Sequence, residues 1–259
     1  MVFQLLYNAF NIFTGGMAFF GSMVVCYRLY TWSNKSKHDV AFTDKSNVAD
    51  GVIYLVDESI DKKVTVMDIV TPNKDAFDQP QRISNMIREI DPKKTIKLVI
   101  NTAGGNLFAC HKILDKLRGH AAGFVAYIKN ESMSAGTIIA LGAKEIVMND
   151  DSYLGKIDPQ VTQGTYVFPA INYYDLDQFK DGSCLSSHTI GNYRTARNAM
   201  NYLNDLLKTI IHDDELLKSI SHHMVYSEQP HCKKFDFNEC KSIGLHVRPP
   251  NDDEKSYFD

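Results

Sequence analysis

The residues of this chain best suited to chemistry gather around one serine. Ser132-Met133-Ser134-Ala135-Gly136-Thr137 lies between two apolar runs, Phe124-Val125-Ala126-Tyr127-Ile128 and Ile138-Ile139-Ala140-Leu141. A hydroxyl ringed by small residues where a strand meets a helix stands exposed beside backbone amides, the setting in which a serine attacks a carbonyl carbon. Ser134 is therefore the candidate nucleophile. A second turn, Asn101-Thr102-Ala103-Gly104-Gly105, carries paired glycines that present amides with no side chain in the way. Gly104, Gly105 and Ala135, the last at the start of the serine's helix, are the candidate donors to a tetrahedral oxyanion. Taken singly, each motif reads more simply as a tight turn or a close helix contact. The chemical reading rests on their combination.

The surrounding pattern supplies elements able to bring them together. A strand at 52–56 is followed by a helix over 79–90, with Pro80 in its first turn, Ile83, Met86, Ile87 and Ile90 at helical spacing, and Asp91-Pro92 as its stop. A strand at 96–100 enters the glycine turn and a helix at 107–117 leaves it. A strand at 123–128, the Ser134 helix and a strand at 145–148 continue the alternation. Strand, turn and helix repeated in this order predict βαβ units with a mostly parallel sheet, whose ligands gather at the carboxyl ends of the strands. The two motifs are thus delivered to one sheet edge. Beyond it, residues 189–223 read as one long helix with Ile190, Tyr193, Ala196, Met200, Leu203, Leu207, Ile210 and Ile211 on a stripe. A short helix near 238–243 is stopped by Gly244 and followed by Leu245-His246-Val247.

Four ordered motifs, the Asn101 to Gly105 turn, Ser132 through Leu141, Glu145-Ile146-Val147-Met148, and Leu154-Gly155-Lys156-Ile157-Asp158-Pro159-Gln160, resemble the serine dehydrogenase proteinase family. That family is similar to signal peptide peptidase A and, more distantly, to the Clp peptidase. The segment from His231 through Phe235-Asp236 to Gly244-Leu245-His246-Val247 resembles the family's close, so the likeness spans residues 51–247. It implies an α/β Clp/crotonase-like spiral of βαβ units and a serine peptidase acting through an acyl-enzyme, with Ser134 as nucleophile and oxyanion donors at Gly104 and Ala135. Ala103 and Lys156 stand where the family usually carries proline.

A serine hydroxyl also needs a base within hydrogen-bond reach. Relatives of this kind use lysine, or in the Clp branch histidine with aspartate. Lys156, in the loop that carries the base in the Clp branch, is the first candidate, giving a Ser-Lys dyad. Lys180 is the alternative, and His188 lacks an identifiable carboxylate partner. Arg194 and Arg197 are excluded because a guanidinium stays protonated. Without a base, the same fold would serve as a membrane-tethered module that binds peptides by strand addition. A crotonase-like role on an acyl thioester has no adenine-binding cue behind it.

Composition bounds these readings. With 28 Lys and Arg against 31 Asp and Glu, the net charge of −3 argues against nucleic acid as a partner. Five scattered cysteines without a C-x-x-C pair suit a reducing compartment. His222-His223 and His231-Cys232 with Cys240 match no zinc spacing and read as surface or core residues, so no metal or cofactor is expected. Residues 1–32 hold no charge before Arg28 and are long enough for the roughly 20-residue helix that crosses a bilayer. They predict one N-terminal transmembrane helix that anchors the chain in the bilayer. Absence of a basic leader and of a small-x-small site favours an uncleaved anchor. Arg28, Lys35, Lys37 and Lys45 place the globular part, residues 51–248, in the cytoplasm, behind a linker at 33–50 and ahead of a polar tail at 249–259. The long amphipathic helix offers a packing face for a homo-oligomer, and the expected partner in the site is a protein or peptide substrate.

Overall fold

Strands β1 (Val52–Val56), β2 (Ile96–Thr102), β3 (Phe124–Ser132) and β4 (Ile146–Met148) run parallel in that spatial order, with β9 (Val247–Arg248) completing the far edge. The computed structural model describes residues 47–56, 79–163, 166–174 and 186–258. Helix α1 (Gln79–Glu89) precedes β2, α2 (Leu107–Arg118) joins β2 to β3, and α3 (Ala135–Leu141) joins β3 to β4. These are the expected βαβ units. Alternation in the strands decides the layers: Ile53, Leu98, Ile100, Ala126 and Ile128 pack with α1, α2 and α3 residues such as Ile83, Leu114 and Ile138 in the main core. Val52, Val99, Tyr127 and Val147 point to the opposite face, where Tyr257 and Phe258 cover them.

Strand β3 is shared between two neighbours. Its first half pairs with β4 from Ala126↔Ile146 to Ile128↔Met148, and its last residues pair with β5 (Tyr153–Gly155) at Glu131↔Tyr153 and Ser132↔Leu154. On the other side its pairing with β2 slips between Ile100↔Ile128 and Thr102↔Ser132, an irregularity bridged by Glu131 N–H donating to Asn101 Oδ1 (3.3 Å). Such a bulge re-aims the strand end that carries the serine. Strand β5 continues into an antiparallel pair with β8 (Lys234–Phe235), Leu154↔Phe235 and Gly155↔Lys234. Three strand ends thus meet around β5: that of β3, that of β5, and the segment entering β8.

After β5 come the hairpin β6 (Gln160–Gln163) and β7 (Tyr166–Pro169), the single turn α4 (Ile171–Tyr174), and the long α5 (Ser187–Ile210). The run read as one helix over 189–223 is broken. Ile211 is extended at φ −112°, and the Asp213 side chain accepts from Glu215 N–H and Leu216 N–H, both at 2.9 Å, starting α6 (Asp214–Ile220) and a π-helical turn, Ser221–Val225. An aspartate at an N-cap outcompetes continued helical periodicity because it satisfies two orphan amides. Helix α7 (Phe237–Ile243) begins on an Asp236–Glu239 capping box and ends at Gly244. The segment read as a polar tail instead forms a 3-10 helix, Asp252–Tyr257, whose Glu254 is buried. The expected transmembrane helix over residues 1–32 lies outside the described residues; among these, no helix is long and apolar enough to cross a membrane.

Candidate active site

Ser134 is the N-cap of α3, and among the described residues it is the one non-glycine with positive φ, 49° with ψ −116°. An L-residue held there stores about 1–3 kcal/mol of strain and persists only where its surroundings over-determine it. The chain does so from both sides. Gly136 N–H donates to Met133 O (2.8 Å) and Ile138 N–H to Ser134 O (3.2 Å). Thr137 Oγ1 donates to Ser132 O (2.5 Å) and accepts from Gly155 N–H (3.0 Å), tying α3 to both β3 and β5. Cys110 on α2 donates its thiol to Ala135 O (3.2 Å), and burial pushes that thiol up to about 12, so it stays protonated and inert beside the serine.

The glycine turn closes on the same point. Gly104, at φ +110°, leaves so little room that a Cβ on it would stand 2.8 Å from Ser134 Cβ and 2.9 Å from Met133 O. Only glycine fits there, in both conformation and space. Gly104 N–H is occupied by Thr102 Oγ1 (3.1 Å), so of the three expected oxyanion donors its part is steric. The Gly105 and Ala135 amides have no acceptor among the described residues, and a side chain at Gly105 would meet nothing within 4 Å. Two free amides thus flank a half-buried hydroxyl, itself without a hydrogen-bond partner among the described residues, at an open edge. Gly136 serves the same end, since a Cβ there would strike Thr102 Cγ2 at 2.5 Å and push α3 off the strand ends.

Lys156 follows β5 as Ser134 follows β3, but the structure does not bring its amine into hydrogen-bond contact with the serine. The side chain is buried. Its Nζ donates to Ser227 O (2.6 Å) and Gln229 O (2.8 Å) and lies 3.7 Å from Asp158 Oδ1. The groups around the amine are two carbonyls and a carboxylate, and none of them is the Ser134 hydroxyl. Lys180 and the His188 side chain lie outside the described residues.

Beside Lys156 the structure assembles a pair that the sequence does not announce. The Asp158 carboxylate, 2% exposed, accepts from Gln160 Nε2 (2.9 Å) on Oδ2, and its Oδ1 lies 2.9 Å from His231 Nδ1. Both residues stand in motifs legible in the chain, Ile157-Asp158-Pro159-Gln160 and the closing segment, but 73 positions separate them. Only the antiparallel pairing of β5 with β8 joins them. Among the described residues no three His, Cys, Asp or Glu side chains are grouped to hold a metal ion.

Comparison with known proteins agrees with this architecture. The chain is similar to two uncharacterized proteins of Methanocaldococcus jannaschii, 28% and 26% identical over 174 residues. Those stretches cover 66% of this chain in each case, and 59% and 58% of the relatives, so the match spans less than two thirds of their length. The model of the ClpP-like SDH-type serine proteinases matches residues 51–257, and the chain belongs to that family.

Proposed function

We propose that the protein is a membrane-anchored serine peptidase that cleaves peptide bonds through an acyl-enzyme on Ser134. The observation that carries this reading is the strained Ser134 at the mouth of α3, fitted against Gly104 with the Gly105 and Ala135 amides unoccupied. Attack of Oγ on the scissile carbonyl carbon forms a C–O bond and moves the carbonyl π pair onto oxygen. Gly105 N–H and Ala135 N–H, fixed in place before the reaction, receive that oxyanion. Its collapse expels the amine and leaves an ester on Ser134, which water then hydrolyses by the same path in reverse. The substrate is an extended peptide laid along the carboxyl edge of β2 and β3.

The test is labelling of the purified full chain by a fluorophosphonate probe, which reacts only with an activated serine. Wild-type protein labels once per chain and Ser134→Ala does not label; labelling that persists in the variant contradicts the assignment. Residues 1–32 are proposed to anchor the peptidase domain on the cytoplasmic side. Recovery of the full chain in membranes after alkaline carbonate extraction, and of a chain lacking residues 1–32 in the supernatant, supports the anchor; a full chain released by carbonate refutes it. The amphipathic α5 supports a homo-oligomer, and a single monomeric species by mass photometry in mild detergent refutes it.

A further inference from the structure

We propose that the edge at which the parallel strands begin, rimmed by Arg88, Lys93, Lys94, Lys116, Arg118 and Lys144, rests on an anionic membrane surface and holds Ser134 over it, facing peptide in the water beyond. The inference rests on residues 1–32 anchoring the chain, and adds how the domain stands on the bilayer and which substrates it reaches.

The topology separates two edges. Strands β1 to β4 are parallel, so all begin at one edge and end at the other. Ser134 and the glycine turn follow strand ends. Helices α1 and α2 finish instead where β2 and β3 begin, which carries Arg88, Lys116 and Arg118 in their last turns to the opposite edge. Lys93 and Lys94 stand in the turn into β2 and Lys144 in the turn into β4, and all six side chains are exposed.

Their charges are uncancelled. None of the six forms an ion pair among the described residues. Lys94 Nζ donates to Ala49 O (2.9 Å) and Lys144 Nζ to Ala122 O (2.7 Å), but a carbonyl accepts the bond without removing the charge. Four carboxylates of this edge, Asp50, Glu89, Asp91 and Asp115, likewise have no Lys or Arg partner among the described residues, while Glu145 is held by Arg248 Nε at 2.8 Å. Positive charge is left in excess. Around the site the sign reverses: Lys156, Lys233 and Lys234 each face a carboxylate, and the exposed Asp150, Asp151 and Glu228 meet no cation among the described residues. A helix C-terminus favours cations, which accounts for Arg88, Lys116 and Arg118. Lys93, Lys94 and Lys144 lie in turns and lack that reason.

The chain itself arrives at this edge. Asn47, the first described residue, precedes the turn Val48–Asp50 and β1, and Lys94 ties the turn into β2 to this entering segment through Ala49. Residues 33–46 span at most about 50 Å, so an anchored chain keeps its basic edge near the bilayer. The cytoplasmic leaflet is negative and attracts Lys and Arg within a Debye length of about 10 Å. A domain with one basic and one acidic edge is turned by that field, basic edge inward. The nine residues of β3, at about 3.3 Å each, then put Ser134 about 30 Å above the surface. At that height it reaches extended peptides in the aqueous phase and not segments lying in the bilayer.

The experiment inserts the full chain into vesicles of phosphatidylcholine, alone or with about one-third phosphatidylserine, and follows lysine acetylation by a membrane-impermeant reagent, site by site, by mass spectrometry. Lys93, Lys94, Lys116 and Lys144 are expected to react about fivefold more slowly on the anionic vesicles, with Lys233 and Lys234 unchanged. The protection disappears in about 1 M salt, where the Debye length falls to about 3 Å. A variant carrying Lys93→Ser, Lys116→Ser and Arg118→Ser keeps its melting temperature and loses most of the protection at Lys94 and Lys144. Equal reactivity on the two vesicles, or protection of Lys233 and Lys234 instead, overturns the docking face. Equal protection of the four lysines by a soluble oligonucleotide in detergent overturns the membrane as its partner. A full chain that does not float with phosphatidylcholine vesicles overturns the anchor, a separate result that leaves the docking face to be decided on the anionic vesicles.

Discussion

Two buried carboxylates, Asp158 on the serine side of the sheet and Glu254 on the opposite face, are built from similar parts to different ends. Glu254 is closed on every side: Arg248 donates to both of its oxygens at 2.6 and 2.8 Å, Tyr127 Oη–H donates at 2.9 Å, and Asn251 N–H donates at 2.9 Å. These bonds, with Arg248 also reaching Glu145 through its Nε at 2.8 Å, pin the 3-10 helix Asp252–Tyr257 over Val52, Val99 and Val147. Asp158 likewise has a cation, an amide and a ring around it, but the far nitrogen of that ring has no partner among the described residues. A satisfied polar network rigidifies a fold, and one left open at a nucleophile's edge has proton transfer available to it. This contrast separates a carboxylate closed within its own cluster from one that holds a partly exposed ring beside the candidate active site.

The substitutions that break the contrast differ in size. Ser134→Ala removes the reacting atom, and complete loss of probe labelling and peptide cleavage is expected. His231→Ala follows: removing the ring held against Asp158 at this edge is expected to slow labelling by about 10²–10⁴-fold. Gly104→Ala strains a residue at φ +110° and drives a methyl within 2.8 Å of Ser134 Cβ, so the serine must move. A displacement on the order of 1 Å costs about 10²-fold in rate, read as a fall in labelling by a protein that still melts cooperatively.

The smallest effect on chemistry, and the largest on stability, is expected at Glu254. Glu254→Gln leaves the labelling rate unchanged while lowering stability at pH 7 by about 2–3 kcal/mol, measured by urea unfolding. The charge-assisted bonds from Arg248 hold the Glu254 carboxyl at about 2, below its ordinary 4.5. A folded-state value below the unfolded one means that the contribution is complete above about pH 4.5 and disappears as pH falls toward 2. The gap between wild type and Glu254→Gln therefore narrows across that window; a gap of constant size contradicts the role assigned to the carboxylate.

How far the sequence carries depends on the range of the interaction. The strands and helices from Val52 to Met148 are legible because period, proline and glycine punctuate them locally, and Gly104-Gly105 and Ser134 can be sent to one edge by topology alone. The break at Ile211 hides because apolar spacing continues through it and the deciding event is one side chain, Asp213, folding back on two amides. The tail at 249–259 reads as polar because Glu254 is charged, and only its partners, Tyr127 and Arg248, show why it is buried. Lys156 illustrates the same limit at the site. Its place in the chain suggests a base, whereas in the structure its amine donates to Ser227 O and Gln229 O, partners 71 and 73 positions away. The pairing of Asp158 with His231 depends on two strands of two or three residues each, too short to announce themselves.

The most direct test of the account is to react the wild-type full chain with a fluorophosphonate and locate the adduct by peptide mass spectrometry. One adduct per chain, on Ser134 and absent from Ser134→Ala, is the result expected of a nucleophile at the mouth of α3. An adduct on any other residue, or none at all, contradicts it.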